Sequence, residues 1–321
     1  MHADIQSHNR LTLIIHYPLP RALRSRKCII MFALLPRQQS CRNGTTPSPF
    51  AMSSLESKLS TAATSADAQS IRTGVCGFCL PQADLFRRFS LLEVQQTFYW
   101  PPQLKTVERW RRTAPEDFEF TVKAFQAITH PGASPTYRRT KFSTDERAQC
   151  GGFCDTKVVR DAWQLTFSLA NALEASVVVF QCPPSFDASD ENVERLRQFF
   201  HWADRGRLRF GWEPRHTTWT RGLVRDLCWE LELIHVVDPL EQGDTYGSPR
   251  YLRLHGKSLG NFRYDYGRTY SDEELADIYE RCQPGPTYCL FNNKQMATDA
   301  ERFSLLARSA SERRDTILKP R

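Results

Sequence analysis

From residue 71 onward the chain alternates short apolar runs with longer stretches whose apolar positions recur at helical spacing. The apolar runs are rich in Val, Ile, Phe and Tyr, which is typical of buried strands. We predict strands at 73–78, 91–98, 118–125, 175–182, 207–214, 233–238, 250–256 and 286–293. The stretches between them predict helices, for example over 157–173, 216–232 and 271–282, the last behind a capping box of Ser271 and Glu274.

Eight strands that alternate with helices predict a closed barrel. Such alternation implies parallel pairing through right-handed crossovers, and eight units in about 250 residues is the size of a TIM-type barrel. An open doubly wound sheet is the alternative, but no predicted strand is followed by a Gly-rich phosphate-binding turn. We therefore predict an α/β fold with one (β/α)8 barrel over 71–310, a basic tail over 311–321, and a long loop at 126–156.

The first 70 residues differ in composition from the rest. Residues 1–52 carry seven basic side chains and one acidic one, so they supply +6 of the formal net charge of +7. Two interpretations are open: an organellar transit peptide, which is typically Arg-rich and acid-poor, or a translation start placed ahead of the true one at Met52. The prolines favour the second, because they interrupt an amphipathic helix. In both cases we expect 1–70 to be a disordered extension.

Composition narrows the classes of function. Without its extension the chain is close to neutral, which disfavours strong binding to a nucleic-acid backbone but does not exclude nucleic acid. The longest apolar run, Cys28–Leu35, is far too short for a membrane span. The ten cysteines are scattered, mostly through predicted strands and helices, as reduced buried thiols are. We expect a cytoplasmic protein, or an organellar one if the extension is a transit peptide.

Polar residues gather at the carboxyl ends of the predicted strands, which is where barrels of this type hold their active sites. Side chains two residues apart share one face of a strand, so the polar set Tyr251, Arg253 and His255 is predicted to point into the barrel. The candidate catalytic residues are Glu213, His255 and Lys123. The candidate substrate-binding residues are Gln95, Thr97, Tyr99, Gln181, Arg215, Asp238, Arg253, Asn292 and Asn293.

These residue types predict acid/base or hydrolytic chemistry. Glu213 and His255 can exchange protons when their pKa values are tuned towards neutrality. Lys123, Arg215 and Arg253 can hold a phosphate or a carboxylate. The hypothesis is an enzyme, such as a hydrolase, isomerase or lyase, acting on a small phosphorylated or sugar-like molecule. The alternative is a purely structural network in which the buried acids and bases neutralise one another.

Two kinds of metal site are weighed against this hypothesis. Glu213, Asp238 and His255 follow successive strands and can converge on one divalent ion, although no tight ligand motif is present. Whether the protein binds a divalent metal as a cofactor therefore stays open, and no residue is assigned as a metal ligand. Cys76 and Cys79 have the spacing of a redox or metal-binding pair, but their place in and beside a strand favours structural thiols.

A barrel without catalytic activity, which binds nucleic acid or protein, is the remaining alternative. Tyr99, Trp100 and the Tyr137-Arg138-Arg139 segment mix aromatic and basic side chains, as proteins that bind single strands do. The near-neutral charge of the predicted barrel argues against this alternative.

Short motifs along the chain resemble those of a known family. They are Gly74-Val75-Cys76-Gly77-Phe78, Leu92-Glu93-Val94-Gln95, Thr97-Phe98-Tyr99, Thr106-Val107-Glu108-Arg109-Trp110, Pro115-Glu116-Asp117-Phe118, Thr121-Val122-Lys123-Ala124, Ile128-Thr129-His130, Val178-Val179-Phe180-Gln181-Cys182-Pro183-Pro184-Ser185-Phe186, Trp212-Glu213-Pro214-Arg215, Tyr251-Leu252-Arg253-Leu254-His255-Gly256 and Phe291-Asn292-Asn293. In this order they resemble the uncharacterised YecE-like proteins, domain of unknown function 72, over nearly all of 72–305. The resemblance implies a β/α barrel and supplies no reaction.

Overall fold

The computed structural model of the chain describes residues 71–243, 245–282 and 285–318, without the side chains of Arg139 and of residues beyond 310. The extension predicted at 1–70 lies outside these residues, and so does the end of the predicted basic tail. The tail's first residues continue the last helix, which ends at Leu318.

Eight parallel strands close into a barrel, as the sequence predicted. They are β1 (Ile71–Cys76), β2 (Leu91–Val94), β3 (Glu119–Lys123), β4 (Val177–Gln181), β5 (Arg209–Glu213), β6 (Leu233–Val237), β7 (Arg250–Leu254) and β10 (Thr287–Phe291). Around the barrel the order is β1-β10-β7-β6-β5-β4-β3-β2. Two short strands after β7, β8 (Lys257–Ser258) and β9 (Tyr264–Asp265), pair as an antiparallel hairpin.

Helices connect the strands. They are α1 (Gln82–Arg88), α2 (Gln96–Tyr99), α3 (Leu104–Thr113), α4 (Gln126–Thr129), α5 (Thr144–Ala148), α6 (Lys157–Ala172), α7 (Asp190–Trp202), α8 (Arg221–Glu230), α9 (Asp272–Arg281) and α10 (Met296–Leu318), with a 3-10 helix at Pro135–Arg139. The predicted capping box forms at α9, where Ser271 and Glu274 each bond the backbone N–H of the other. In the part of the chain that the structure describes, every helix is too short or too polar to cross a membrane.

The core has an outer and an inner layer, because successive side chains of a strand point to opposite faces. The outer layer lies between strands and helices and is rich in aromatic rings, such as Phe180 of β4 against Trp163 of α6. The inner layer is a separate cluster inside the barrel, to which β4 contributes Val177 and Val179. Polar side chains lie towards the carboxyl ends of the strands, where the apolar cluster stops.

Two local predictions were wrong. β2 ends at Val94 rather than residue 98, because the chain turns into α2, which Thr97 ties down by donating its hydroxyl hydrogen to the backbone oxygen of Lys123. The 126–156 connection is not one long loop, since it contains α4, the 3-10 helix and α5. It folds because Tyr137 is buried and donates a hydrogen bond to the backbone oxygen of His130 (2.9 Å).

Candidate active site

Arg253 lies at the centre of the barrel and is fully buried, with 0% of its side chain exposed. Its strand β7 pairs with β6 and β10, so its bonds to residues of three other strands cross the interior. One guanidinium nitrogen donates to Gln181 (3.0 Å) and to Glu213, and another donates to Glu93 (3.0 Å). These bonds tie β2, β4 and β5 to β7 and neutralise two carboxylates that would be costly to bury alone.

A layer of hydroxyl groups lies beside this arginine. The hydroxyl of Tyr251, two residues before Arg253 on the same face of β7, donates to Glu93 (2.9 Å) and shares a 2.7 Å hydrogen bond with Thr121. Burial and the neighbouring Glu93 carboxylate raise the pKa of Tyr251 well above its ordinary value. The tyrosine therefore stays protonated and acts as a hydrogen-bond donor inside the barrel.

Glu213 is held as a carboxylate between two guanidinium groups. Burial alone would raise its pKa, but Arg215 and Arg253 together hold the pKa well below its ordinary range. One carboxylate oxygen accepts a hydrogen bond from Nε of Arg215, and the other accepts from Arg253. A group this firmly ionised and this fully bonded is suited to orienting its partners and not to exchanging protons near pH 7.

His255 follows β7 and is fixed on both ring nitrogens. Arg215 donates to Nε2 (2.7 Å), and Nδ1 and the backbone N–H both face one oxygen of Asp238 (3.4 and 3.1 Å). Burial and then the positive charge of Arg215 lower the pKa of His255 to about 4. The ring is therefore neutral at physiological pH, with its proton on Nδ1, and Tyr264 of β9 stacks on it at 4.6 Å.

The acids and arginines described so far form one unit, which we call the buried ionic cluster. Its members are Glu93, Glu213, Asp238, Arg215 and Arg253, and each is at most 7% exposed. Three carboxylates against two guanidiniums leave it a formal charge of −1.

A cavity of about 220 Å³ opens above the cluster at the carboxyl ends of the strands, and we call it the mouth cavity. Five of the residues that the sequence singled out line it: Gln95, Tyr99, Lys123, Gln181 and Asn292. Its volume is below the ~300–1,000 Å³ of pockets for drug-sized ligands, so it suits a small molecule.

Lys123 connects the mouth cavity to the cluster. It ends β3, it is only 5% exposed, and its amine nitrogen lies 3.8 Å from the centroid of the Phe98 ring. Within the described parts of the chain the amine makes no ion pair, because the nearest carboxylates bond to Arg253 and Arg215 instead. Burial, together with the charge of Arg253, lowers the pKa of Lys123 from 10.5 to about 7.

Four residues of the mouth cavity were not predicted as site residues: Phe98, His130, Thr136 and Tyr266. His130 and Thr136 come from the 126–156 connection, and His130 belongs to one of the motifs that carried the family resemblance. Burial and the charge of Lys123 lower the pKa of His130 to about 3, so the ring is neutral. Tyr266 follows the hairpin after β7, and no periodicity of the sequence indicates that it reaches the cavity.

The remaining predicted residues lie away from the cavity. Thr97 is buried, and its hydroxyl donates to the backbone oxygen of Lys123 (2.6 Å), with the backbone oxygen of Val94 also within reach at 3.0 Å. Asn293 is buried and donates to the backbone of Arg268 and to Asp299. The buried ionic cluster and His255 lie under the cavity, which makes them supports for the site more than contacts for a ligand.

Neither of the two metal arrangements considered as alternatives is formed by the described residues. Glu213, Asp238 and His255 do converge, but arginines bond to both Glu213 oxygens and to Nε2 of the histidine, which leaves no open set of ligands. No group of three or more His, Cys, Asp or Glu side chains is arranged to hold a metal among the residues described. Cys76 is a free buried thiol whose pKa is raised by burial, and Cys79 is a free thiol at the surface.

Comparisons with known proteins give a family and a fold. A family model described as "Protein of unknown function DUF72" matches residues 83–321. The UPF0759 protein YunF of Bacillus subtilis is 24% identical over 237 residues, covering 64% of this chain and 77% of that protein. Crystal structures of DUF72 family proteins from Enterococcus faecalis and Thermotoga maritima, each 21% identical, cover 75% of this chain and 99% and 100% of theirs, with TM-scores of 0.55 and 0.56. At this identity the two structures show the fold alone.

Proposed function

The chain belongs to the DUF72 family of proteins of unknown function, and from that premise we propose that it is an enzyme acting by acid–base chemistry on a small sugar-like molecule. The observation that carries the proposal is Lys123, a buried amine in the mouth cavity with its pKa lowered to about 7. An amine that is half neutral at the working pH can both accept and return a proton, which is what a general base requires. We assign this role to Lys123 and not to Glu213.

The electrostatics of the cluster support proton transfer to this amine. The buried ionic cluster has a formal charge of −1, so uptake of a proton by Lys123 brings the site to neutrality. Loss of that proton is helped by burial and by Arg253, which lowers the pKa. These opposing influences keep the two forms of Lys123 close in free energy, as a proton carrier needs.

The lining of the mouth cavity favours an uncharged substrate over a phosphorylated one. The arginines beneath it are bonded to carboxylates, and Lys123 is its one cationic lining residue in the described chain. The amides of Gln95, Gln181 and Asn292 can donate to and accept from hydroxyl groups. Tyr99, which is 52% exposed, offers a ring face at the rim. Hydroxyl-rich molecules present the matching groups.

A ligand screen tests this proposal. Aldoses and ketoses of three to six carbons, their phosphate esters and single-stranded oligonucleotides are added separately to the full chain and to the variants Lys123→Met and Lys105→Met, and thermal unfolding is followed. Lys105 is exposed on α3 and is not among the residues that line the cavity, so it serves as the matched control. We expect an uncharged sugar to raise the Tm of the wild type and of Lys105→Met but not of Lys123→Met.

Three other outcomes would contradict parts of this proposal. Stabilisation by phosphate esters alone would contradict the uncharged substrate. An equal rise in the Tm of Lys123→Met would mean that Lys123 does not contribute to ligand binding. Stabilisation by oligonucleotides with no response to sugars would favour the non-catalytic binding barrel.

A further inference from the structure

We propose that the substrate of this site carries an aldehyde or ketone group, and that Lys123 binds it covalently as an imine. This inference rests on the proposed function, because it uses the same neutral amine and the same cavity, and it names the class of substrate. The lone pair that would accept a proton in the free site forms the bond to carbon here, so the amine acts as a base only before the imine forms and after it is hydrolysed. The surroundings of the amine nitrogen and the other groups that line the cavity support this assignment.

The amine nitrogen of Lys123 is placed as a nucleophile. It lies against the Phe98 ring and makes no ion pair in the described chain, so no carboxylate holds it in the protonated form, which lacks a free lone pair. Thr97 fixes the backbone of Lys123 by donating to its carbonyl oxygen, which holds the start of the side chain in place. A desolvated lysine beside other cationic groups is the usual way in which proteins activate an amine towards carbonyl carbon.

The cavity also offers neutral groups for a carbonyl oxygen. The side-chain oxygen of Gln181 accepts from Arg253 (3.0 Å), which leaves its NH2 group available to a ligand. The side-chain amide of Asn292 has no hydrogen-bond partner in the described residues and lines the same space. Amide N–H groups of this kind can stabilise the negative charge that develops on oxygen when an amine adds to a carbonyl.

The step balances without an added reagent. The lone pair of the Lys123 amine forms a bond to the carbonyl carbon, and the π electrons of the carbonyl move to oxygen, which takes up a proton. The carbinolamine then loses its oxygen together with two hydrogens, both originally on the nitrogen, as one molecule of water. A carbon–nitrogen double bond remains, and no atom is oxidised or reduced overall.

Borohydride trapping tests the inference. The full chain is incubated at pH 7 with dihydroxyacetone or glyceraldehyde and treated with sodium borohydride, which delivers hydride to the imine carbon and leaves a stable secondary amine. Peptide mass spectrometry then measures the modification of each lysine. We expect a mass increase of the probe less one oxygen at Lys123, saturable with probe concentration, because the neutral fraction at pH 7 is on the order of a thousand-fold above that of an amine with a pKa of 10.5. Lys105 and Lys257, both exposed, report background labelling.

A second reagent separates failure of this inference from failure of the proposed function. Acetic anhydride reacts with any accessible neutral amine and needs no carbonyl-binding site. If Lys123 is acetylated at pH 7 but gives no more borohydride adduct than Lys105, the imine is overturned and acid–base chemistry stands. If Lys123 takes neither reagent, both proposals fail. Adduct at Lys123 that is lost in Lys123→Met and retained in Lys105→Met supports the imine.

Discussion

We expect the difference in stability between the wild type and Lys123→Met to change with pH in a defined direction. The pKa of Lys123 is about 7 in the folded chain and 10.5 as an ordinary lysine, so between these values the unfolded chain binds one more proton than the folded chain. Stability therefore rises with pH across this window in the wild type, and the rise is absent in Lys123→Met. Below pH 7 the buried ammonium makes its full unfavourable contribution, and near pH 10.5 the contribution vanishes.

The size of the effect follows from the two pKa values. Each unit of separation corresponds to about 1.4 kcal/mol, and the folded and unfolded titrations together predict that the wild type gains about 2.5 kcal/mol relative to Lys123→Met between pH 7.5 and 9.5. Loss of the contact with Phe98 shifts the whole curve and leaves its slope almost unchanged. The slope is therefore the quantity that identifies a buried lysine with a lowered pKa.

Urea unfolding at pH 7.5, 8.5 and 9.5 measures this slope. The free energy of unfolding is taken from the linear dependence on urea for the wild type, Lys123→Met and the exposed control Lys105→Met. We expect Lys105→Met to stay parallel to the wild type and the gap between the wild type and Lys123→Met to move by about 2.5 kcal/mol. A gap that stays constant over the three pH values would mean that folding does not lower the pKa of Lys123, and it would contradict the neutral amine.

Three further substitutions test the parts of the site that support this lysine. Glu213→Gln removes a carboxylate from between two buried guanidiniums and should lower the free energy of unfolding by about 3 kcal/mol; an unchanged urea midpoint would contradict the ion-pair role. Tyr251→Phe removes two interior hydrogen bonds and should cost about 1–2 kcal/mol in the same assay, whereas a neutral change would mean that these bonds add nothing. Gly256→Ala places a Cβ 2.3 Å from the backbone oxygen of Asp265, at a φ of +99°, and should lower the free energy of unfolding by more than about 1 kcal/mol. An unaltered Tm would mean that the hairpin accommodates the added methyl group without cost.

The fold could be predicted because each strand has a recognisable local sequence pattern. Eight apolar runs, each followed by a turn or helix signal, leave few arrangements other than a closed barrel. Strand limits were least accurate at β2, where Gln95 and Thr97 continue the alternation of Glu93 although the chain has already turned into α2. Alternation alone does not reveal that turn, since it depends on a hydrogen bond from Thr97 to the distant Lys123.

For the candidate site, the sequence predicted which polar residues would gather at the strand ends but not how they pair with one another. Strand ends supplied Lys123, Gln181 and Asn292 to the mouth cavity because closure of a barrel brings all strand ends together. The sequence does not reveal which acid meets which base, and for that reason it favoured Glu213 for proton transfer. His130 was missed because it reaches the cavity through a folded connection and not through a strand.

The proposed chemistry depends most on a neutral Lys123 amine at physiological pH, and an NMR titration observes that amine directly. The full chain is produced with 13C-labelled lysine, the Cε signal of Lys123 is assigned by its absence in Lys123→Met, and its shift is followed from pH 5.5 to the alkaline limit of the fold. We expect a midpoint near pH 7 for Lys123, well below the midpoints of the exposed lysines in the same spectrum. A Lys123 signal that keeps the shift of a charged amine through pH 9 would contradict it.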